Sequence, residues 1–463
     1  MNIGYPAFVL IILLAVGIPL AIVRPYKAFL LGCLLIVAGS ADEFNATRTS
    51  FLGPYLNLKD ACVLIGLLGL FVDKWNNKSR VVIPQVLALI LFALFVGAMQ
   101  SFARFGWAYN IVRATSWALA FPIGLFLGAN FVNSPHKAKL LIGVLLAGVI
   151  LAALQHCWLV IIMQRSFWVD ATNYNMIRSI DFLGGGVTPV FLAVAIVWKL
   201  PQKNLLKTLY LAAGGLLVLG VFLTQTRSIW FALAATVPVV FLLFEQRRRL
   251  VSSLRNSIIV FAACTLAFGV FTKMSPNLDP FGIISHRLFR LDDTSEHDSS
   301  AGSRIRAYTT ELQHWYEGTL VFGRGLSFFQ NMDFGRGSAE TRIAFGHAGH
   351  CTYLSQLGLV GLCIYSIYLP LSIIRRARTI WLYDEDSGNR YLSLLGGGCI
   401  IYLSLLHVMS SSLLAPDSFA PGVLCGSVWA LSQKFPVQQP VVRIYGNNRR
   451  LDRNLQTCAE KQA

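Results

Sequence analysis

The chain has 463 residues, 55% of them hydrophobic and only 13% charged, with a mean hydropathy of +0.59. Soluble domains carry about 25% charged residues, so this composition excludes an ordinary soluble or disordered protein. The net charge of +17 resides mainly in clusters between apolar runs, the pattern of a membrane protein's cytoplasmic connectors rather than of a nucleic-acid binder.

About 20 apolar residues cross a bilayer as a helix. In chain order, spans are expected near 6–23, 27–40, 61–73, 81–100, 114–132, 140–163, 183–199, 205–224, 229–244, 257–272, 352–374, 391–413 and 419–433. The runs do not alternate polar and apolar residues, which excludes a membrane barrel. The fold class is therefore all-α, a polytopic membrane protein of about 12–13 transmembrane helices. The first run, Ala7 to Val23, has no basic segment before it and reads as a spanning helix rather than a cleaved signal. The nine cysteines form no CxxC pair. Cys33, Cys62, Cys157, Cys264, Cys363, Cys399 and Cys425 lie in apolar runs, where cysteine packs as a small hydrophobe. A disulfide framework or zinc site is not expected.

The connectors Arg24–Lys27, Lys74–Arg80, Lys137–Lys139, Lys199–Lys207, Arg247–Arg255 and Arg375–Arg390 fall on one side under this count, as does the tail from Lys434. The positive-inside rule makes that side cytoplasmic. Four regions follow: helices with short loops at 1–272, a long external loop at 273–350, further helices at 351–433, and a basic cytoplasmic tail at 434–463. Within the long loop, Ser303 to Tyr316 reads as an amphipathic helix. Tyr308, Leu312, Trp315 and Tyr316 form its apolar stripe, with Glu311 and Arg304 elsewhere on its surface. Gly323-Arg324-Gly325-Leu326 ends it, and Asp292 to Asp298 reads as a mobile acidic segment.

The loop closes on Phe345-Gly346-His347-Ala348-Gly349-His350, which delivers two imidazoles to the membrane edge. Histidine is suited to proton transfer near neutral pH. On the same face stand Arg227 at a helix mouth, Arg304 and Arg306 in the loop helix, and Arg178 before another span. Arginine is the preferred bidentate ligand for phosphate, although each of these can equally contact lipid headgroups. His347 and His350 have HxxH spacing but no acidic partner at ligand spacing, and Gly346 and Gly349 favour a turn, so no metal or other cofactor is expected. His156 and His407 lie within spans and read as hydrogen-bonded packing residues. No Walker A motif and no GxSxG elbow occurs.

Three blocks together resemble the O-antigen ligase and polymerase superfamily of bacterial membrane glycosyltransferases. Leu223-Thr224-Gln225-Thr226-Arg227-Ser228 is similar to that family's T-x-S-R span opening. Ser303-Arg304-Ile305-Arg306-Ala307-Tyr308, followed by Gly323-Arg324-Gly325-Leu326, resembles its loop pattern R-x-x-x-W … G-x-G-L. His350-Cys351-Thr352-Tyr353-Leu354, then Gly358-Leu359-Val360-Gly361-Leu362, resembles H-N-x-Y-L … G-L-x-G-L. Thr226, Tyr308 and Cys351 depart from the family's serine, tryptophan and asparagine. The local Tyr-Leu match favours His350, whereas the family's spacing of eleven positions to the first glycine is met by His347.

The resemblance implies an inner-membrane enzyme with its site on the periplasmic side. It would move a glycan from an undecaprenyl-diphosphate carrier to a hydroxyl of another glycan or of a lipid A core. Transfer would invert the anomeric centre, without metal or nucleotide sugar. One of the two histidines would be the general base, and Arg227, Arg304, Arg306 and Arg178 the diphosphate ligands. Membrane lipids and polysaccharide-assembly proteins are the expected partners, and nucleic acid is not. The alternative is a transporter of a lipid-linked glycan or lipid. It would hold its essential polar groups near the bilayer midplane, whereas the groups here gather at one face.

Overall fold

The computed structural model describes residues 5–39, 58–105, 109–158, 187–198, 204–223, 227–244, 300–326, 329–330, 342–343, 349–408, 413–414 and 418–435. The first ten helices are α1 (Tyr5–Val23), α2 (Pro25–Ala38), α3 (Leu58–Asn77), α4 (Gln85–Phe105), α5 (Tyr109–Ala118), α6 (Ala120–Phe131), α7 (Pro135–Cys157), α8 (Val187–Val197), α9 (Asn204–Leu223) and α10 (Arg227–Leu243). The loop helix α11 (Ser300–Glu317) and a two-residue pair of strands, β1 (Phe329–Gln330) and β2 (Arg342–Ile343), come next. Then follow α12 (Gly349–Leu362), a π-helical turn (Cys363–Tyr368), α13 (Leu369–Tyr383), α14 (Ser387–Leu406) and α15 (Phe419–Ser432).

The protein is an all-α, multi-pass membrane protein. Among the described residues, Gln85–Arg104, Ala114–Phe131, Pro135–Gln155 and Gly349–Tyr383 are long and apolar enough to cross a bilayer, and six shorter apolar helices accompany them. Helices occupy every expected span except 257–272, which lies outside the described residues along with the Asp292 to Asp298 segment.

Two boundaries differ from the sequence reading. The span expected at 114–132 is two helices that meet at Leu119. Pro122 lacks an N–H to return to the Ala118 carbonyl, and this loosens the ladder there. The span expected to end at 374 continues helically to Tyr383. Arginine is a good helix former, so Arg375, Arg376 and Arg378 extend the helix past the apolar run instead of ending it.

Among the described residues, basic connectors meet at one end of the bundle. The Tyr26 hydroxyl donates to the Lys137 carbonyl over 2.5 Å, and Lys137 Nζ lies 5.2 Å from the Tyr26 ring centre. Lys139 pairs with Asp386 at 2.8 Å. Asn130 holds the connector before α4 by accepting from Val82 N–H (2.9 Å) and donating to its carbonyl (2.8 Å). Arg376 donates to Ser432 Oγ at the end of α15 (3.0 Å).

The closest helix pair is α6 with α15. Gly124 and Gly128 face Phe419 and Val423, while Gly422 and Gly426 face Phe121 and Leu125. A Cβ at any of the four would collide with the partner's backbone carbonyl. This is a reciprocal GxxxG seam. Lipid tails are as apolar as leucine, so close backbone packing, rather than expulsion of water, drives such association in a bilayer.

Candidate functional site

Gly358 breaks α12. Its φ of 68° and ψ of −162° lie in a region populated essentially by glycine. In an unbroken helix, Leu359 N–H would bond to the Ser355 carbonyl, and Val360 N–H to that of Gln356. The break orphans all four groups, and residues 320–325 of the loop satisfy them. Leu359 and Val360 donate to the carbonyls of Leu320 and Val321 (both 3.1 Å). Arg324 and Gly325 donate to those of Ser355 (2.8 Å) and Gln356 (3.0 Å). Non-helical backbone at membrane depth requires such internal pairing.

The Gly323-Arg324-Gly325-Leu326 block makes this docking possible. Gly323 and Gly325 both have positive φ, at 72° and 107°. Side chains there would collide with Gln356 and with Ser101. Leu326 is buried, and its N–H donates to the Gly97 carbonyl of α4 (3.3 Å). The Arg324 guanidinium does not face an open site. Its Nη1 lies 2.5 Å from His314 Nδ1 and 3.3 Å from Glu317 Oε2. A guanidinium only donates, so His314 Nδ1 accepts and its proton sits on Nε2. Burial, aided by the charge of Arg324, lowers the His314 pKa, with Glu317 opposing.

The sequence reading of the α11 faces requires correction. Glu311, expected on the surface, is 2% exposed, whereas Leu312 and Tyr316 of the expected apolar stripe are exposed. The Glu311 carboxylate accepts hydrogen bonds from the Ser355 hydroxyl and from Thr352, both buried in α12. Burial pushes the Glu311 carboxyl above the ordinary range, and those two bonds oppose the shift. Helical hydropathy alone cannot find this face, because the surface that receives it is itself polar.

His350 is the second residue of α12, and both of its ring nitrogens are engaged. Nε2 lies 3.0 Å from the Ser404 carbonyl, and Nδ1 2.6 Å from Ser366 Oγ in the π-helical turn. A carbonyl can only accept, so the proton is on Nε2 and Nδ1 accepts from the Ser366 hydroxyl. The His350 N–H also donates to the His407 carbonyl (3.3 Å). Side chain and backbone together cap the C-terminus of α14, a favourable place for histidine. His407, expected as a packing residue, is buried with Nδ1 3.3 Å from the Tyr353 hydroxyl, which accepts from Leu413 N–H at 2.7 Å. Tyr353 in turn stacks on Tyr365 at 4.7 Å.

The remaining candidates fall as follows. Arg227 opens α10, whose far end carries Phe244 edge-on to Trp381 at 6.0 Å, toward the basic end of the bundle. Arg227 lies 17 residues from Phe244, about 25 Å along a helix, which puts its backbone at the same end as His350. Arg304 and Arg306 lie in the N-terminal half of α11, the helix that Glu311 ties to α12. Arg178 and His347 lie outside the described residues. Sequence reasoning missed Ser355, Thr352, Ser366 and Ser404. Ser355 and Ser366 stand five and sixteen positions after His350, a weak signal in a helix.

Residues 212–366 match the family model described as O-antigen ligase. That third of the chain contains α10, α11, the docked turn, and α12 through Ser366. No curated protein matches the chain. The match supports glycan transferase activity of the ligase and polymerase type. That stretch is similar to the O-antigen ligase family, the resemblance that the three sequence blocks carry.

Proposed function

We propose that the protein transfers a glycan from undecaprenyl diphosphate to a sugar hydroxyl at the periplasmic face of the bacterial inner membrane. The observation that carries this reading is the docking of α11, which bears Arg304 and Arg306, onto α12 within two turns of His350. That site lies at the end of the bundle opposite the basic connectors, and the positive-inside rule makes the connectors' end cytoplasmic. An imidazole takes the proton of the acceptor hydroxyl. The oxygen attacks the anomeric carbon from the face opposite the diphosphate. The bond from carbon to diphosphate oxygen breaks, and the lipid diphosphate leaves with the electron pair. Attack from the opposite face inverts the centre. Guanidinium groups of Arg227, Arg304, Arg306 and Arg178 stabilise the charge that develops on the diphosphate, the role a metal would otherwise fill. The acceptor is a second lipid-linked glycan in a polymerase or a lipid A core in a ligase.

The hydrogen bonds of His350 refine the acid–base assignment. A base needs a free lone pair, and His350 Nδ1 is occupied by Ser366. We assign the base to His347, which also has the family spacing to Gly358, and the positioning of the turn to His350. His347→Ala and His347→Gln should both lose on the order of 10²–10⁴-fold in transfer rate. His350→Gln offers one donor and one acceptor, so it should retain much of the activity that His350→Ala loses. Equal loss in His350→Ala and His350→Gln, with His347→Ala active, would return the base to His350.

A further inference from the structure

We propose that the flank of α11 formed by Leu312 and Tyr316, together with Leu320 and Val321 of the turn, is immersed in the bilayer. The long loop would then be a membrane-anchored element rather than an aqueous one. These four side chains are 43%, 79%, 50% and 49% exposed. On the helical wheel Leu312 and Tyr316 adjoin one another between the docked face around Glu311 and an exposed polar stripe of Thr309, Gln313 and Glu317. Such a three-part helix, with one face docked, one flank apolar and one polar, fits a water–lipid boundary.

The occupant follows from continuity and depth. Leu320 and Val321 are hydrogen-bonded to Leu359 and Val360 of a helix that crosses the membrane, and Leu359 is itself exposed at 43%. The apolar surface of the turn therefore continues a surface that already faces lipid. Gly358 lies 17 residues before Arg375, about 25 Å at 1.5 Å per residue, inside a hydrocarbon core of about 30 Å. From the other side, Gly97, which accepts from Leu326, lies 12 residues into α4 from Gln85, about 18 Å along. Both helices put the turn within the hydrocarbon core, past its midplane and in the leaflet on the site's side. The occupant is the acyl chains of that leaflet.

The test uses the full chain, with its nine cysteines replaced, in nanodiscs of phosphatidylethanolamine and phosphatidylglycerol. A spin label is placed singly at Leu320, Tyr316 or Gln313. Labels at Leu320 and Tyr316 should collide with oxygen in preference to a nickel chelate, and the label at Gln313 should do the reverse. Equal nickel access at Leu320 and Gln313 overturns the proposal. So does protection of Leu320 that appears only after undecaprenyl diphosphate is added, which would assign the flank to the carrier's chain. Unmodified protein in nanodiscs containing a diazirine-tailed phosphatidylglycerol gives a second readout. Photoadducts should map to 312–321, and their absence from that peptide refutes immersion independently of any substitution.

Discussion

Gly358→Ala isolates the helix break from the chemistry. Alanine in the Gly358 conformation costs the broken form about 1–3 kcal/mol, and its Cβ would collide with the Val321 carbonyl. The competing form is a continuous helix, in which Leu359 and Val360 recover Ser355 and Gln356 as acceptors. Alanine favours a helix interior over glycine by about 0.8–1 kcal/mol. Together these shift the balance by about 2–4 kcal/mol toward the straight helix, roughly 30- to 700-fold. Straightening removes four partners from the turn, so residues 320–326 should undock. Hydrogen exchange in nanodiscs separates the two states. The amides of Arg324 and Gly325 should lose protection, while those of Leu359 and Val360 stay protected by the restored ladder. Glycan transfer should fall in parallel. A Gly358→Ala protein with native protection at 320–326 and full transfer would refute the accounting of the four orphaned groups.

Further outcomes follow from the same geometry. Burial raises the Glu311 pKa, so the docked state favours the neutral carboxyl. Docking should be strongest below the ordinary carboxylate value near 4.3 and weaken as pH rises through the raised value. Proteolysis of the α11 segment from about pH 4 upward should follow this trend, and Glu311→Gln should flatten it; a pH-independent wild type would count against the carboxyl latch. Arg227→Lys and Arg304→Lys should insert normally yet lose most transfer, because lysine lacks the planar fork; full glycan output from either variant removes that residue from the site. A single cysteine at Asn454 should resist an impermeant thiol reagent in spheroplasts, and its modification from outside would reverse the orientation.

The helical plan was legible because long apolar runs and basic connectors are read one span at a time. The Gly323-Arg324-Gly325-Leu326 and Gly358 blocks were legible as motifs but not as partners. Their meaning lies in hydrogen bonds between segments some 35 positions apart. The α11 face was misread because hydropathy cannot foresee a carboxyl buried against two hydroxyls, Ser355 and Thr352. His350 was legible as important but not in its role. A histidine that caps another helix and one that awaits a substrate look alike in sequence, and the carbonyl of Ser404 is what separates them. The GxxxG pair Gly124/Gly128 and Gly422/Gly426 was readable and passed over, since small residues in apolar runs carry no chemistry of their own.

That glycine seam has a consequence for biogenesis. Helix α6 inserts early and α15 late, and the entire stretch matched to O-antigen ligase is synthesised between them. Until α15 arrives, the flat face of α6 has no backbone to receive it, and the ribosome delivers the candidate catalytic residues into an open bundle. A stop codon between Leu414 and Phe419 would spare every candidate catalytic residue, and Ser404 and His407 that hold His350, and still leave that bundle unclasped. Loss-of-function truncations there would report on assembly in the membrane, and quality-control proteolysis rather than failed chemistry would set their phenotype.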